Sequence, residues 1–166
     1  DEVILAIGDI YGLDASYLRD MTRYGNSILR IVHYPSVNSD EIGMRAAPHH
    51  GVNLLGVQPK TLTPGLQFLT RRNEWVAISP RESRNYVTIN IGRMLAYILN
   101  GRLLPTPHRV INDVDGSAAQ TRQSGVLFYH ANPHKELRPL EGAEKLKSIS
   151  AGEFLSNRLK TIGLRN

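Results

Sequence analysis

Thr106-Pro107-His108-Arg109-Val110, followed across a loop by Arg122-Gln123-Ser124, decides how this chain is read. His108 to Asn112 and Ser124 to His130 fit short β-strands rich in β-branched and aromatic residues. Residues i and i+2 of a strand share a face, so Arg122 and Ser124 point the same way. Asp113 and Asp115 fall in the loop after the His108 strand. Far upstream, Ala47-Pro48-His49-His50-Gly51 supplies a second histidine in a similar Pro-His context.

The strands extend upstream. Ser27 to Tyr34 is a β-type run that stops at Pro35, and residues 36 to 43 read as a polar loop. Short strands follow at about 44–48, 52–57, 65–69, 74–79 and 85–91, split by turn residues. Met94 to Leu99 reads as a short helix closed by Asn100-Gly101.

Both ends are helical. Residues 1 to 29 carry Val3, Ile4 and Ile7, then Tyr17, Leu18, Met21 and Tyr24, at three- and four-residue spacing. Gly12 is placed to end a first helix and Asp14 to cap a second. Ala151 to Ile162 sets Phe154, Leu155, Leu159 and Ile162 on one face. The expected architecture is mainly β: a double-stranded jelly roll with flanking helices, in one domain. A helical lead-in spans 1–26, the jelly-roll core 27–132 and the helical tail 140–164.

The 166 residues suffice to bury a core, and 41% apolar with 21% charged residues is ordinary for a globular protein. No apolar run approaches the roughly 20 residues that span a bilayer, so no membrane partner is expected. The absence of cysteine excludes disulfides and thiolate metal sites and fits a cytoplasmic protein. The net charge of +5 favours anions, but no aromatic residues interleave with the scattered cations. No nucleic acid is expected as a partner.

From Leu29 onward the chain resembles the isopenicillin N synthase-like family of iron and 2-oxoglutarate-dependent oxygenases. The resemblance rests on Leu29-Arg30-Ile31-Val32-His33-Tyr34-Pro35, Arg45-Ala46-Ala47-Pro48-His49, Pro64-Gly65-Leu66-Gln67 and Glu74-Trp75-Val76. It continues through Asn90-Ile91-Gly92, Asn100-Gly101-Arg102, the His108 and Arg122 segments, and Phe154-Leu155 with Arg158-Leu159-Lys160. Any one of these is weak; their common order makes the signal. The family's N-terminal helical region is usually longer, so the chain looks like the catalytic part.

The resemblance implies Fe(II) on His49 and His108, and 2-oxoglutarate on Arg122, Ser124 and Tyr34. Neutral imidazoles suit Fe(II), and arginine gives a permanently charged fork for a carboxylate. The implied reaction oxidises a C–H bond of a small-molecule substrate with molecular oxygen, giving succinate and carbon dioxide. His50, at the variable position beside the first ligand, should point away from the metal on an extended strand. His130 and His134 read as surface or strand-end residues, and His33 alternates away from Tyr34. Trp75 and Phe68 read as core packing.

The departures matter equally. Gly51 stands where the family places its metal-binding aspartate, Val32 where it often has asparagine, and Arg93 where it often has an acid. A cation at the start of a helix is unfavourable. Gly51 admits three readings: an active iron site with water filling the gap, a halogenase-like site with chloride there, or a catalytically silent binding or regulatory relative. Asp113 or Asp115 is a poor substitute for the lost ligand, since both fall in a loop.

Overall fold

The computed structural model describes residues 1–37, 43–61, 63–78, 85–112, 120–142 and 146–163. Asp113 and Asp115 lie outside them, as does most of the loop expected at 36–43. Two helices lead in, α1 (Glu2–Tyr11) and α2 (Ala15–Thr22). Then follow β1 (Ile28–Tyr34), β2 (Met44–His49), β3 (Leu55–Pro59), β4 (Leu66–Leu69), β5 (Trp75–Ala77) and β6 (Val87–Ile91). After α3 (Arg93–Ile98) come β7 (His108–Ile111), β8 (Arg122–Tyr129), β9 (Glu136–Leu137), β10 (Ile149–Ser150) and α4 (Ala151–Thr161).

The strands form two four-stranded antiparallel sheets, β1-β8-β3-β6 and β2-β7-β4-β5, with β9 and β10 as a separate pair. This is the jelly-roll architecture expected from the sequence. Among the described residues, no helix is long and apolar enough to cross a membrane.

Period-two alternation gives the first sheet two different faces. On β8, Ser124, Val126 and Phe128 line a cavity, as do Arg30, Val32 and Tyr34 of β1. Gly56 and Gln58 of β3 and Asn90 of β6 continue that lining. The alternate residues Leu55, Val57, Ile91 and Tyr129 instead belong to the hydrophobic core built with the helices. That core joins Ile4, Leu18 and Met21 to Leu95, Ile98 and Phe154, all nearly inaccessible to solvent. Truncating such a residue to alanine costs about 2–5 kcal/mol. The core therefore stiffens the back of the sheet, while the opposite face is free to carry polar groups.

Local signals explain most boundaries. Gly12 ends α1 in the left-handed conformation (φ 73°), and Asp14 caps α2 by accepting from Ser16 N (2.6 Å) and Tyr17 N (3.0 Å). Ser150 caps α4 by accepting from Glu153 N at 3.1 Å. The lead-in helices stop at Thr22, and Ile28 and Leu29 are already strand, so the helical reading to residue 29 ran too far. The strand expected at 52–57 starts only at Leu55. The reason is local: Gly51 O, Val52 O and Asn53 O accept from Arg93 N and Met94 N, so these carbonyls serve α3 instead of a ladder. Among the described residues of the tail expected at 140–164, the helix covers Ala151–Thr161, after the short β9–β10 pair.

Candidate active site

His49 ends β2 and His108 begins β7, and the two are register partners. Their ring centroids lie 4.3 Å apart with planes inclined at 57°. Residues distant in sequence thus meet at one end of a cavity of about 340 Å3 between the sheets. His49 is exposed, whereas His108 is buried and packs against the Phe68 ring at 5.6 Å. Phe68 thus packs on a site residue, and Trp75 carries Arg109 over its ring at 4.2 Å. Neither joins the hydrophobic core expected for them, because β4 and β5 belong to the sheet away from the helices.

Each imidazole is oriented by a carbonyl two residues before it. His49 Nδ1 lies 2.8 Å from Ala47 O, and His108 Nδ1 lies 3.1 Å from Thr106 O. A carbonyl only accepts, so Nδ1 carries the hydrogen and Nε2 keeps its lone pair. Burial holds the His108 pKa down to about 4; the Thr106 carbonyl opposes that shift, while His49 and His50 add to it. His108 is therefore neutral near pH 7, in the form that binds a metal.

Arg122 and Ser124 begin β8, in register with Tyr34 and Val32 of β1. Arg122 is 1% exposed, and its guanidinium carbon lies 5.4 Å from the Tyr34 ring centre. Its Nε donates to Pro64 O at 3.3 Å, but its buried Nη1 has no partner among the described residues. Burial lowers its pKa; Tyr34 opposes that shift and Arg45 adds to it. A buried guanidinium without a counter-charge is costly, and a carboxylate would satisfy both its charge and its donors. Ser124, 7% exposed on the same face, adds a hydroxyl.

Gly51 also lines this cavity. A Cβ there would lie 2.5 Å from Asn53 Oδ1. The Asn53 amide is held through Nδ2, which donates to Leu55 O at 2.7 Å, and Oδ1 is a buried acceptor without a donor. Asn90 Oδ1, on β6, is a second such acceptor lining the cavity. The space beside Gly51 is thus already occupied by an amide. Among the described residues, no group of three His, Cys, Asp or Glu could hold a metal. The donor set therefore fits two coordination positions of Fe(II), through neutral imidazoles, and the distal carboxylate of 2-oxoglutarate, but offers no anionic metal ligand among the described residues.

The remaining histidines separate cleanly. His50 turns to Arg93, whose Nη2 donates to its Nδ1 at 3.1 Å, and does not line the His49–His108 cavity. His33 and His134 are exposed. His130 does follow a strand end, but it is buried and not a surface residue: its N–H donates to Ser27 Oγ at 3.1 Å. Asn53, Asn90 and Gln58 are buried cavity residues that the motifs did not single out. Alternation along β3 and β6 was the available signal for Gln58 and Asn90.

Comparison with known proteins agrees with this geometry. Residues 25–131 match the family described as the 2OG-Fe(II) oxygenase superfamily. The chain is 32% identical over 149 residues to 1-aminocyclopropane-1-carboxylate oxidase of Dendrobium crumenatum, covering 82% of this chain and 44% of that protein. A crystal structure from Caulobacter crescentus, described as a 2OG-Fe(II) oxygenase family protein, superposes with a TM-score of 0.84 at 31% identity, covering 96% of this chain and 53% of that one. A Neurospora crassa protein, solved full-length with alpha-KG and 5-formyluracil, gives a TM-score of 0.85 at 28% identity, covering 96% and 55%. The chain spans about half the length of these relatives. With the two sheets, the paired histidines and the buried arginine in place, the chain belongs to the 2OG-Fe(II) oxygenase superfamily.

Proposed function

We propose that this chain carries the catalytic centre of an Fe(II)- and 2-oxoglutarate-dependent dioxygenase that oxidises a C–H bond of a small organic substrate. The observation that carries the reading is Arg122: a guanidinium buried to 1% exposure, with Nη1 unpartnered among the described residues, beside the Tyr34 ring that lines the cavity. His49 Nε2 and His108 Nε2 would hold the metal. Arg122 and Ser124 would hold the distal carboxylate of 2-oxoglutarate, with Tyr34 beside them. Fe(II) with 2-oxoglutarate and molecular oxygen supplies the oxidising power, with succinate and carbon dioxide as coproducts.

The protein's own part is orientation and exclusion of water. The Ala47 and Thr106 carbonyls retain the Nδ1 protons and so aim both Nε2 lone pairs. Val110 and Val126 wall the cavity between the two ends, where a reactive centre needs protection from solvent. 1-Aminocyclopropane-1-carboxylate and 5-formyluracil, named with two of the relatives, are small organic molecules of the size such a cavity suits.

One observation favours a second reading, a relative that binds 2-oxoglutarate without turnover: Asn53 Oδ1 fills the place of the missing side chain at Gly51. Chloride is disfavoured at the Gly51 position itself, because the nearest atom there is an acceptor oxygen, Asn53 Oδ1, and the donor Asn90 Nδ2 lies farther off at 3.6 Å. Anaerobic addition of Fe(II) and then 2-oxoglutarate tests the first reading. A visible charge-transfer band that Arg122→Ala abolishes, followed by succinate release under oxygen, supports a dioxygenase. A band without succinate favours the silent relative, and no band at all defeats the metal assignment.

A further inference from the structure

A second cavity of about 630 Å3 adjoins the first and shares His49, Gly51 and Asn53 with it. Its walls combine Val52, Phe128, Leu155, Leu159 and Ile162 with the cations Arg30, Arg93 and Arg158. Arg30 is exposed on β1, whereas Arg93 and Arg158 come from the helices α3 and α4. Both are half-buried. Arg93 donates to His50 Nδ1, which fixes its guanidinium while leaving other N–H groups to spare. Arg158 lies over the Phe154 ring at 5.7 Å. Among the described residues, neither meets a carboxylate within ion-pair distance; the ion pair seen there, Lys135–Asp20, involves neither residue.

The two half-buried cations of this largely apolar cavity, Arg93 and Arg158, repel each other and bear a desolvation cost that the exposed Arg30 does not share. An anion between them relieves both. The apolar wall asks for a hydrocarbon or aromatic body behind that anion. The volume lies within the range of ordinary small-molecule sites, roughly 300–1,000 Å3.

We propose that this second cavity is a binding site for an organic anion with an apolar body, its carboxylate clamped by Arg93 and Arg158. Taking the proposed oxygenase reading as its basis, this anion is the substrate class, because His49 and Gly51 border both cavities. The carboxylate end is anchored by α3 and α4, and the apolar end reaches toward the paired histidines. Arg93, unfavourable at the start of a helix, acquires a purpose as an anion donor.

The test uses 4-phenylbutyrate as probe and 4-phenylbutan-1-ol as its uncharged counterpart, titrated calorimetrically into the metal-free protein. The acid should bind at least about tenfold more tightly than the alcohol. Arg93→Gln and Arg158→Gln should each weaken the acid roughly tenfold and leave the alcohol unchanged. Both variants should melt with the parent and still give the charge-transfer band with Fe(II) and 2-oxoglutarate. Arg122→Gln should lose that band yet keep the acid.

Equal affinity for acid and alcohol overturns the proposal, as does no binding of the acid at millimolar concentration. So does an acid affinity that survives both glutamine variants or disappears only in Arg122→Gln. Failure of the oxygenase reading looks different: the parent would bind the acid through Arg93 and Arg158 but form no iron–2-oxoglutarate band.

Discussion

One end of the inter-sheet cavity is lined by Ser124, Val32 and Tyr34, and Arg122 is buried on β8 behind the Tyr34 ring, in register with Tyr34. At the other, His108 is buried, its partner His49 is exposed, and Gly51 offers no side chain while Asn53 fills its space. On the proposed reading, the end assigned to the anion has its cation and hydroxyl in place, and the end assigned to the metal has no carboxylate among the described residues. The difference teaches that cosubstrate recognition and metal ligation are separable in this fold. The first depends on two residues of one strand, the second on two distant segments meeting, residues 49–53 and the start of β7. It also suggests where to push.

Removing the charge at the end assigned to the anion should have the largest effect. Arg122→Met takes away the only buried fork among the described residues, and 2-oxoglutarate affinity should fall by at least about 100-fold. The free protein should not lose stability in proportion, because a buried cation without a counter-charge is itself costly. A thermal shift assay separates the two effects. The parent should gain about 2.7 kcal/mol at 2-oxoglutarate concentrations about 100 times Kd, and the variant nothing. A variant that still gains would return the two ends to equal footing.

The metal end should show itself in pH dependence. The unfolded chain takes up a proton on His108 near pH 6.5, the folded chain only near pH 4. Stability is therefore full above pH 6.5, is lost as pH falls through that window, and levels off below about pH 4. Between about pH 7 and pH 5 the loss should be about 2 kcal/mol by denaturant titration of the metal-free protein. Burial also lowers the His130 pKa, which adds in the same direction. His108→Gln should flatten much of this slope, and an unchanged slope would place the effect elsewhere.

Gly51→Asp would repair the metal end by composition but not by space. Its Cβ falls 2.5 Å from Asn53 Oδ1, so the metal-free variant should lose about 1–2 kcal/mol. Combining it with Asn53→Ala should recover part of that loss, giving a coupling energy above roughly 0.5 kcal/mol in a double-mutant cycle. Strict additivity would mean that the Asn53 amide does not hold the place of the lost carboxylate.

The shared face of Arg122 and Ser124 was legible because period two governs a strand, and both are buried on β8. The fold was legible for a similar reason, through short strands and Pro, Gly and Asn punctuation. Where helix and strand compete for carbonyls, as at Val52 and Asn53, the boundary moved, because donation from Arg93 and Met94 is invisible in a linear pattern. His130 misled because its burial comes from packing beside Gly25 and Ser27. The Arg93–Arg158 cavity needs α4 docked against the sheet, which no local spacing announces.

Ser124→Ala should have the smallest effect and distinguishes register from chemistry. Ser124 occupies the face of Arg122 but carries no charge, so its hydroxyl contributes one neutral hydrogen bond to a carboxylate, worth about 1 kcal/mol. 2-Oxoglutarate affinity should drop roughly fivefold by titration of the charge-transfer band, with thermal stability of the free protein within about 0.5 kcal/mol of the parent. A drop approaching that of Arg122→Met would mean that Ser124 positions the guanidinium and that the two act as one unit. No drop would leave Arg122 as the whole anchor, with Tyr34→Phe as the next residue to test. Either result locates how much of the anion's end lies in one side chain, which the buried orphan Nη1 alone does not apportion.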